Sequence, residues 1–413
     1  MFDIAVACLV VTALAAWFNA RFIRLPGAIG VMAIAMVLSL VLFGASRIGF
    51  GAFYDYETRL LGAIDFSDVL MQGMLSVLLF ASALHVDMSL LRRYRWQVGV
   101  LAVFGTLLST AIIGFALHLV LPWIGLPLPL AYCLVFGALI SPTDPIAVMG
   151  ILKSAGAPDN VGVVVSGESL FNDGVGVVAF SLLLGVAVQQ QAPTAGDVLH
   201  MLALEAGGGL LLGALLGLVL FALLRSVDHY QVEVLLTLAG VLGGYELAQQ
   251  LHVSGPLAMV VAGLIVGHHG RRLAMSDVTR HHVDLFWELL DEILNAVLFV
   301  LLGLEIVLVD LDTPYLLAGL VAILVALAAR LLAVGVPVGL VPERFRLPAG
   351  AWKVLTWGGL RGGISVALVL ALPVGPSRDL LLTMTYAVVV FSILVQGLTI
   401  RGVTSRAFPR AVD

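Results

Sequence analysis

The chain has 413 residues, 61% of them hydrophobic and 11% charged, with a mean hydropathy of +1.10. A soluble domain carries about 25% charged residues, so this composition excludes a water-soluble globular protein. It leaves a polytopic membrane protein, helical because long unbroken apolar runs suit helices and not barrel strands. The net charge of −5 excludes little by itself, because the position of each charge decides more than the sum.

At about 20 apolar residues per span, the sequence reads as thirteen helices. The first, 2–19, has no basic residue before it and Arg21 and Arg24 after it. A cleaved signal peptide has the reverse layout, so this is a retained anchor. Segments follow at 28–44, 66–86 and 97–121. The fifth, 129–152, contains the polar run Ser141-Pro142-Thr143-Asp144-Pro145. The sixth, 161–188, contains Glu168-Ser169-Leu170-Phe171-Asn172-Asp173. Then come 201–224, 232–250, 253–268 and 281–309. The eleventh, 315–340, holds Arg330, and the twelfth, 351–372, holds Trp357-Gly358-Gly359-Leu360-Arg361-Gly362-Gly363. The last is 379–400, followed by Arg401 to Asp413, and no cytoplasmic regulatory domain is expected. Cys8 and Cys133 lie in apolar helices and read as small core hydrophobes, not as a disulfide.

Lys and Arg placement sets the orientation. With the N-terminus outside, 16 of the 21 basic residues fall on the cytoplasmic side. Arg47, Arg59 and Arg378 fall outside, and Arg330 and Arg361 lie within the membrane. One missed span would scramble that asymmetry. The expected location is therefore the cell membrane, multi-pass, with the C-terminus cytoplasmic.

Thirteen is six, a linker and six. If the seventh helix is the linker, the two sets of six have opposite topologies, as inverted repeats require. The fifth and twelfth segments then correspond, and both are interrupted. Prolines remove a helical hydrogen bond and glycine pairs weaken the helix. Pro and Gly are common in membrane helices, which accounts for one interruption; it accounts less well for a charge in both. A break leaves half-helix ends of about +0.5 and −0.5 charge. Asp144 is suited to offset the positive ends and Arg361 the negative ones.

Five charged residues are thus set among apolar helices. At about 1.5 Å per helical residue, Glu168, Asp144, Arg330, Arg361 and Asp173 lie roughly 10–18 Å from the cytoplasmic ends. They converge on one layer near the middle of a ~30 Å core, and intramembrane charges mark an ion or proton pathway. Ser169 and Asp173 share one face of the sixth helix, and Glu168 and Asn172 another about 100° away. Asp173 with Ser169 presents hard oxygens to a small cation. The Asn172 amide beside them is placed to hold a carboxylate. Glu168 suits a structural pair with Arg330 or Arg361. No His or Cys cluster has zinc-like spacing, and no cofactor is expected.

Three motifs carry a resemblance: Ser-Pro-Thr-Asp-Pro at 141–145, Gly-Glu-Ser-Leu-Phe-Asn-Asp-Gly at 167–174 and Gly-Gly-Leu-Arg-Gly-Gly at 358–363. With Phe286 to Glu305, including Asn295, they resemble the monovalent cation:proton antiporter-1 family, of NhaP and NHE type, over nearly the whole chain. That resemblance implies an NhaA-like fold of thirteen helices. It implies Asp173 as the cation and proton carrier beside Asn172, with Thr143 (through its backbone carbonyl), Asp144 and Ser169 completing the site. It pairs Glu168 with Arg330 and puts Arg361 in the second broken helix. It implies a homodimer in which 97–188 and 310–413 form a moving core. The scaffold is then 1–96 and, with the linker helix, 189–309.

The implied activity is exchange of a monovalent cation for a proton by elevator-type alternating access. Na+ is the expected cation; spacing does not separate it from Li+ or K+. An aspartate at its ordinary pKa of about 3.9 is protonated about once per thousand molecules at pH 7, so a proton carrier needs the burial that favours the neutral acid. With Asn, not a second acid, at 172, one proton per cation and electroneutral exchange follow. Pairing of cation and proton gradients implies a part in pH and sodium homeostasis. His268, His269, His281 and His282 cluster at cytoplasmic helix ends, where titration near pH 6.5 suits pH sensing; a solvated interfacial cluster is the plainer reading. No chemistry is assigned to Glu246, Glu288, Asp291, Glu292 or Glu305. An intramembrane aspartyl protease, also with buried acids on adjacent helices, is disfavoured: its Gly-x-Gly-Asp signature is absent, and buried arginines at the same depth fit two acids sharing a proton poorly. A passive channel would differ in giving currents without coupling. No nucleic-acid partner is expected.

Overall fold

The computed structural model describes residues 2–46, 73–189, 195–270, 275–304 and 312–409. Arg47, Arg59, Arg271, Arg272, Glu305 and Arg410 lie outside the described residues, as do the start of the expected span at 66–86 and the end of that at 281–309. Among the described residues every regular element is helical. The apolar composition dictates this, because a helix satisfies its own backbone where no water can.

In chain order the helices are α1 (Phe2–Phe18), α2 (Gly27–Ser46), α3 (Leu75–Leu84), α4 (Met88–Val100), α5 (Thr106–Val120), α6 (Leu130–Ile140) and α7 (Ile146–Ser154). Next come α8 (Asp159–Gln189), α9 (Ala195–Leu202), α10 (Gly208–Arg225), α11 (Tyr230–Gln250), α12 (Gly255–Ile265) and α13 (Asp277–Leu304). The last are α14 (Thr313–Arg330), α15 (Val336–Leu340), α16 (Pro342–Phe345), α17 (Ala351–Trp357), α18 (Gly363–Leu370), α19 (Pro376–Phe391) and α20 (Gly397–Ala407). Wide π turns join several of them without a break, including Leu101–Gly105, Leu331–Gly335 and Ser392–Gln396. Among the described residues, six continuous stretches are long and apolar enough to cross a membrane: Val6–Ile23, Met88–Ile124, Asp159–Val188, His200–Arg225, Thr313–Leu340 and Pro376–Ala407.

The fourth helix departs from expectation. It begins at Met88, nine residues before the expected 97, and runs unbroken across position 97. Hydropathy marks where lipid begins, whereas the helix starts at its cap. The Asp87 carboxylate accepts from the Ser89 amide at 2.8 Å and the Leu90 amide at 3.3 Å, satisfying donors that a first turn otherwise leaves open. The Ser89 hydroxyl bond, then the Leu90 amide, hold this exposed carboxyl below the usual aspartate range. The extra turns carry Arg92, Arg93 and Arg95 outward while Leu91, Tyr94 and Val98 turn inward.

Packing brings the polar runs together. Helix α6 lies between α5 and α8, and α14 packs on both α5 and α19. Elsewhere α12 packs on α10 and α3, and α13 packs on α2 and α3. Small residues allow the closest approaches, as expected where lipid offers no hydrophobic drive between helices. At Gly137 of α6, an added Cβ would strike the Thr110 carbonyl of α5.

Candidate functional site

Two helices break where the sequence places prolines and glycines. Helix α6 stops at Ile140 and α7 starts at Ile146; α17 stops at Trp357 and α18 starts at Gly363. The two breaks touch. The Asp144 amide donates to the Leu360 carbonyl at 2.8 Å, so each interrupted backbone satisfies part of the other.

Charges meet the half-helix ends. Arg361 donates through Nη1 to the carbonyls of Ser141 at 2.6 Å and Pro142 at 2.8 Å, at the C-terminal end of α6. The Asp144 carboxylate lies against Gly362, at the N-terminal end of α18, so closely that a Cβ there would collide with it. An acid thus faces a positive end and a base a negative one.

Arg330 does two things. It forms a two-pronged pair with Glu168, whose second contact, Nη2 to Oε2, is 2.9 Å. It also donates from Nε at 3.2 Å and Nη2 at 3.0 Å to the Leu355 carbonyl, in the last turn of α17. Both residues are buried, so the pair ties α8 to α14 and to the second break. Sequence reasoning anticipated the Glu168 contact but not the carbonyl.

Asn172 differs from expectation. Among the described residues its amide holds a threonine and no carboxylate. Nδ2 donates to Thr143 Oγ1 at 2.9 Å, and Oδ1 accepts from the Thr143 amide at 3.3 Å. The Thr143 hydroxyl also pairs with Ser169 Oγ at 2.9 Å. Two residues of α8 therefore fix the first break in place.

Asp173 is 7% exposed. It lines a cavity of about 460 Å³ together with Thr143 and Asp144. Glu168, Ser169, Asn172, Arg330 and Arg361 lie outside the cavity lining. The seven residues placed by sequence as site or ion pair, with Arg361, thus converge in space but divide into an accessible face and a supporting layer. Glu168 and Asp173, on one helix, face different partners.

Three supporting residues went unread in the sequence. Ser365 donates to the Leu139 carbonyl at 2.7 Å, Ser392 accepts from the Arg361 amide at 2.7 Å, and Gln396 donates to the Trp357 carbonyl at 3.0 Å. Each serves a main-chain group beside a break. The only sequence signal was a polar residue in an apolar run.

Two of the four histidines lie side by side at the start of α13. His281 is exposed, and its ring centroid lies 5.9 Å from that of His282. His282 stacks on Tyr230 at 4.3 Å and its Nδ1 lies 2.8 Å from the Val278 carbonyl. His268 is half-buried in the π turn Val266–Gly270 that follows α12, and the His269 side chain lies outside the described residues.

Comparison with known proteins gives a consistent result. Residues 9–406 match the family model described as sodium/hydrogen exchanger, transmembrane. The chain is 52% identical to the Na+/H+ antiporter NhaP of Pseudomonas aeruginosa, over 99% of this chain and 97% of that protein. It is 35% identical to the Na+/H+ antiporter NhaH of Halobacillus dabanensis, over 92% of each. The sodium proton antiporter MjNhaP1 of Methanocaldococcus jannaschii superposes with a TM-score of 0.76 over 96% of each chain. At 20% identity that likeness speaks for the fold alone.

Proposed function

The chain belongs to the sodium/hydrogen exchanger family, and we propose that it exchanges Na+ for H+ with both ions competing for Asp173. As a member of that family it is a secondary transporter and not an enzyme. The observation that carries the reading is the position of Asp173: a buried carboxyl at the wall of a cavity of about 460 Å³, beside two helix breaks whose ends are already charge-compensated. Because Arg361 and Asp144 attend to the half-helix ends and Arg330 to Glu168, Asp173 is the acid beside the two breaks whose occupant can change. A carboxylate takes one cation or one proton, not both, which is the coupling that antiport requires.

The Thr143 carbonyl, Ser169 and Asp144 supply the remaining hard oxygens around a cation, and Asn172 acts by holding Thr143. Exchange is one for one and electroneutral, since residue 172 is an amide. Thirteen spans with inverted repeats and two broken crossing helices, in an NhaA-like fold, suit this assignment. The segments 97–188 and 310–413 move as a core against 1–96 and 189–309, in a homodimer with the N-terminus outside and the C-terminus cytoplasmic. The exchange serves pH and sodium homeostasis.

Proton flux in proteoliposomes, compared for Na+, K+ and Li+ across pH, tests this reading. Saturable flux driven by Na+ and insensitive to membrane potential is expected. Flux driven by K+ alone would reassign the cation, and an uncoupled current would replace antiport with a channel.

A further inference from the structure

The cavity reaches Asp173, but one of its long walls is α13, a helix to which the sequence assigned no chemistry. Glu288, Asp291, Glu292 and Asn295 line it there. Their spacing of three and four places them on one face. With Asp144 and Asp173, five carboxylates border the cavity, against Lys153 as the one Lys or Arg among the described lining residues. A cleft so lined concentrates cations.

Charge alone would make only an attractive vestibule. Two atoms make it more specific. Asn295 is 4% exposed, and its Nδ2 donates to the Asp291 carbonyl at 2.8 Å. Its Oδ1 is buried and accepts no hydrogen bond among the described residues. One carboxylate oxygen of Asp291, Oδ1, is in the same condition. A buried acceptor left unsatisfied costs about 1–3 kcal/mol, so two of them, one helical turn apart on a cavity wall, call for an occupant. Both are hard oxygens, the ligand type suited to a small hard cation. Neither can donate a hydrogen bond while Asp291 is ionised.

We propose that Asp291 and Asn295 form a waiting site for the transported cation, on the wall of the cavity that Asp173 also lines. The Asp291 carboxylate and the Asn295 carbonyl oxygen each supply one ligand, and water in the cavity supplies the rest. The inference rests on Asp173 as the carrier. The waiting site raises the local cation concentration at Asp173 and so shifts the competition with protons toward the cation. It therefore sets the Na+ needed for half-maximal exchange and leaves the maximal rate, which belongs to movement of the loaded carrier, unchanged.

The test is Na+-driven proton flux at fixed pH in proteoliposomes, with folded protein verified by size exclusion. Asp291→Asn and Asn295→Ala are expected to raise half-saturating Na+ about five- to tenfold, with maximal rates within about twofold of wild type. Asp291→Glu should restore the wild-type value. Asn295→Asp, which adds a charge at the same place, should lower it, and this variant decides the matter if Asp291→Asn fails to fold. Half-saturation unchanged in these variants overturns the waiting site, as does a fall in maximal rate alone. Asp173→Asn is measured alongside. If it still exchanges, the carrier reading fails; if it is inert while the α13 variants keep wild-type Na+ dependence, only the waiting site fails.

Discussion

The Asp144 amide and the Leu360 carbonyl, 2.8 Å apart, join the two helix breaks through main chain alone. That bond puts Asp144 beside Gly362 and Arg361 beside Ser141 and Pro142. The charges of the site follow from it, because each break brings open carbonyls and amides to a place without bulk water.

Arg361 serves two of those carbonyls at once. Arg361→Ala should destabilise the protein by about 1–3 kcal/mol for each carbonyl left without a donor. Arg361→Lys should recover part of the loss, because an ammonium supplies a point charge but no planar fork. Thermal unfolding of detergent-purified protein measures both. Equal stability of the alanine variant and wild type would remove Arg361 from this role.

The Glu168–Arg330 pair should be costly to break from one side. Arg330→Met leaves a carboxylate that is 1% exposed without its partner, at about 3–5 kcal/mol. Removing both charges, with Glu168→Gln added, should cost much less than the sum of the two single changes. Strict additivity in the same unfolding assay would mean the two side chains do not depend on each other.

Gly362 offers a probe that changes no charge. Its backbone, at φ −119° and ψ −159°, is open to any residue, so alanine brings no strain of its own. The added Cβ meets the Asp144 carboxylate. Gly362→Ala should therefore slow exchange on the order of tenfold to a hundredfold through misplacement of that acid, with the protein still folded. A wild-type exchange rate in proteoliposomes would show that the position of Asp144 does not matter.

Asp87 gives a pH dependence whose sign can be worked out. Its folded pKa is lowered by the Ser89 and Leu90 contacts. A lowered value stabilises the fold above the unfolded pKa, near 3.9, and that contribution disappears as pH falls through the folded pKa. Asp87→Ala should cost about 0.5–2 kcal/mol at neutral pH. The melting temperatures of variant and wild type should converge below about pH 4. A constant gap down to strongly acid pH would place the effect elsewhere.

The breaks were legible because Pro142, Pro145 and the glycines around Arg361 contradict the helical period that surrounds them. The charges were legible because lipid penalises them. Apart from the Glu168–Arg330 pair, what the sequence hid was partnership across the chain. Nothing local marks Leu355 as the second partner of Arg330, 25 positions away, or Thr143 as the partner of Asn172. Asn295 was named within the Phe286 to Glu305 resemblance but given no role, because one amide in the run Leu294-Asn295-Ala296 has no spacing signature until a cavity lies beside it. The early start of the fourth helix was hidden for another reason: Arg92, Arg93 and Arg95 depress hydropathy while being good helix formers.

The most direct measurement is proton release when Na+ is added to purified protein in weak buffer. Competition for one carboxyl predicts a saturable release in the wild type, up to one proton per Na+ bound, and none in Asp173→Asn. Na+ binding to the wild type without proton release, or the same release from Asp173→Asn, would contradict it.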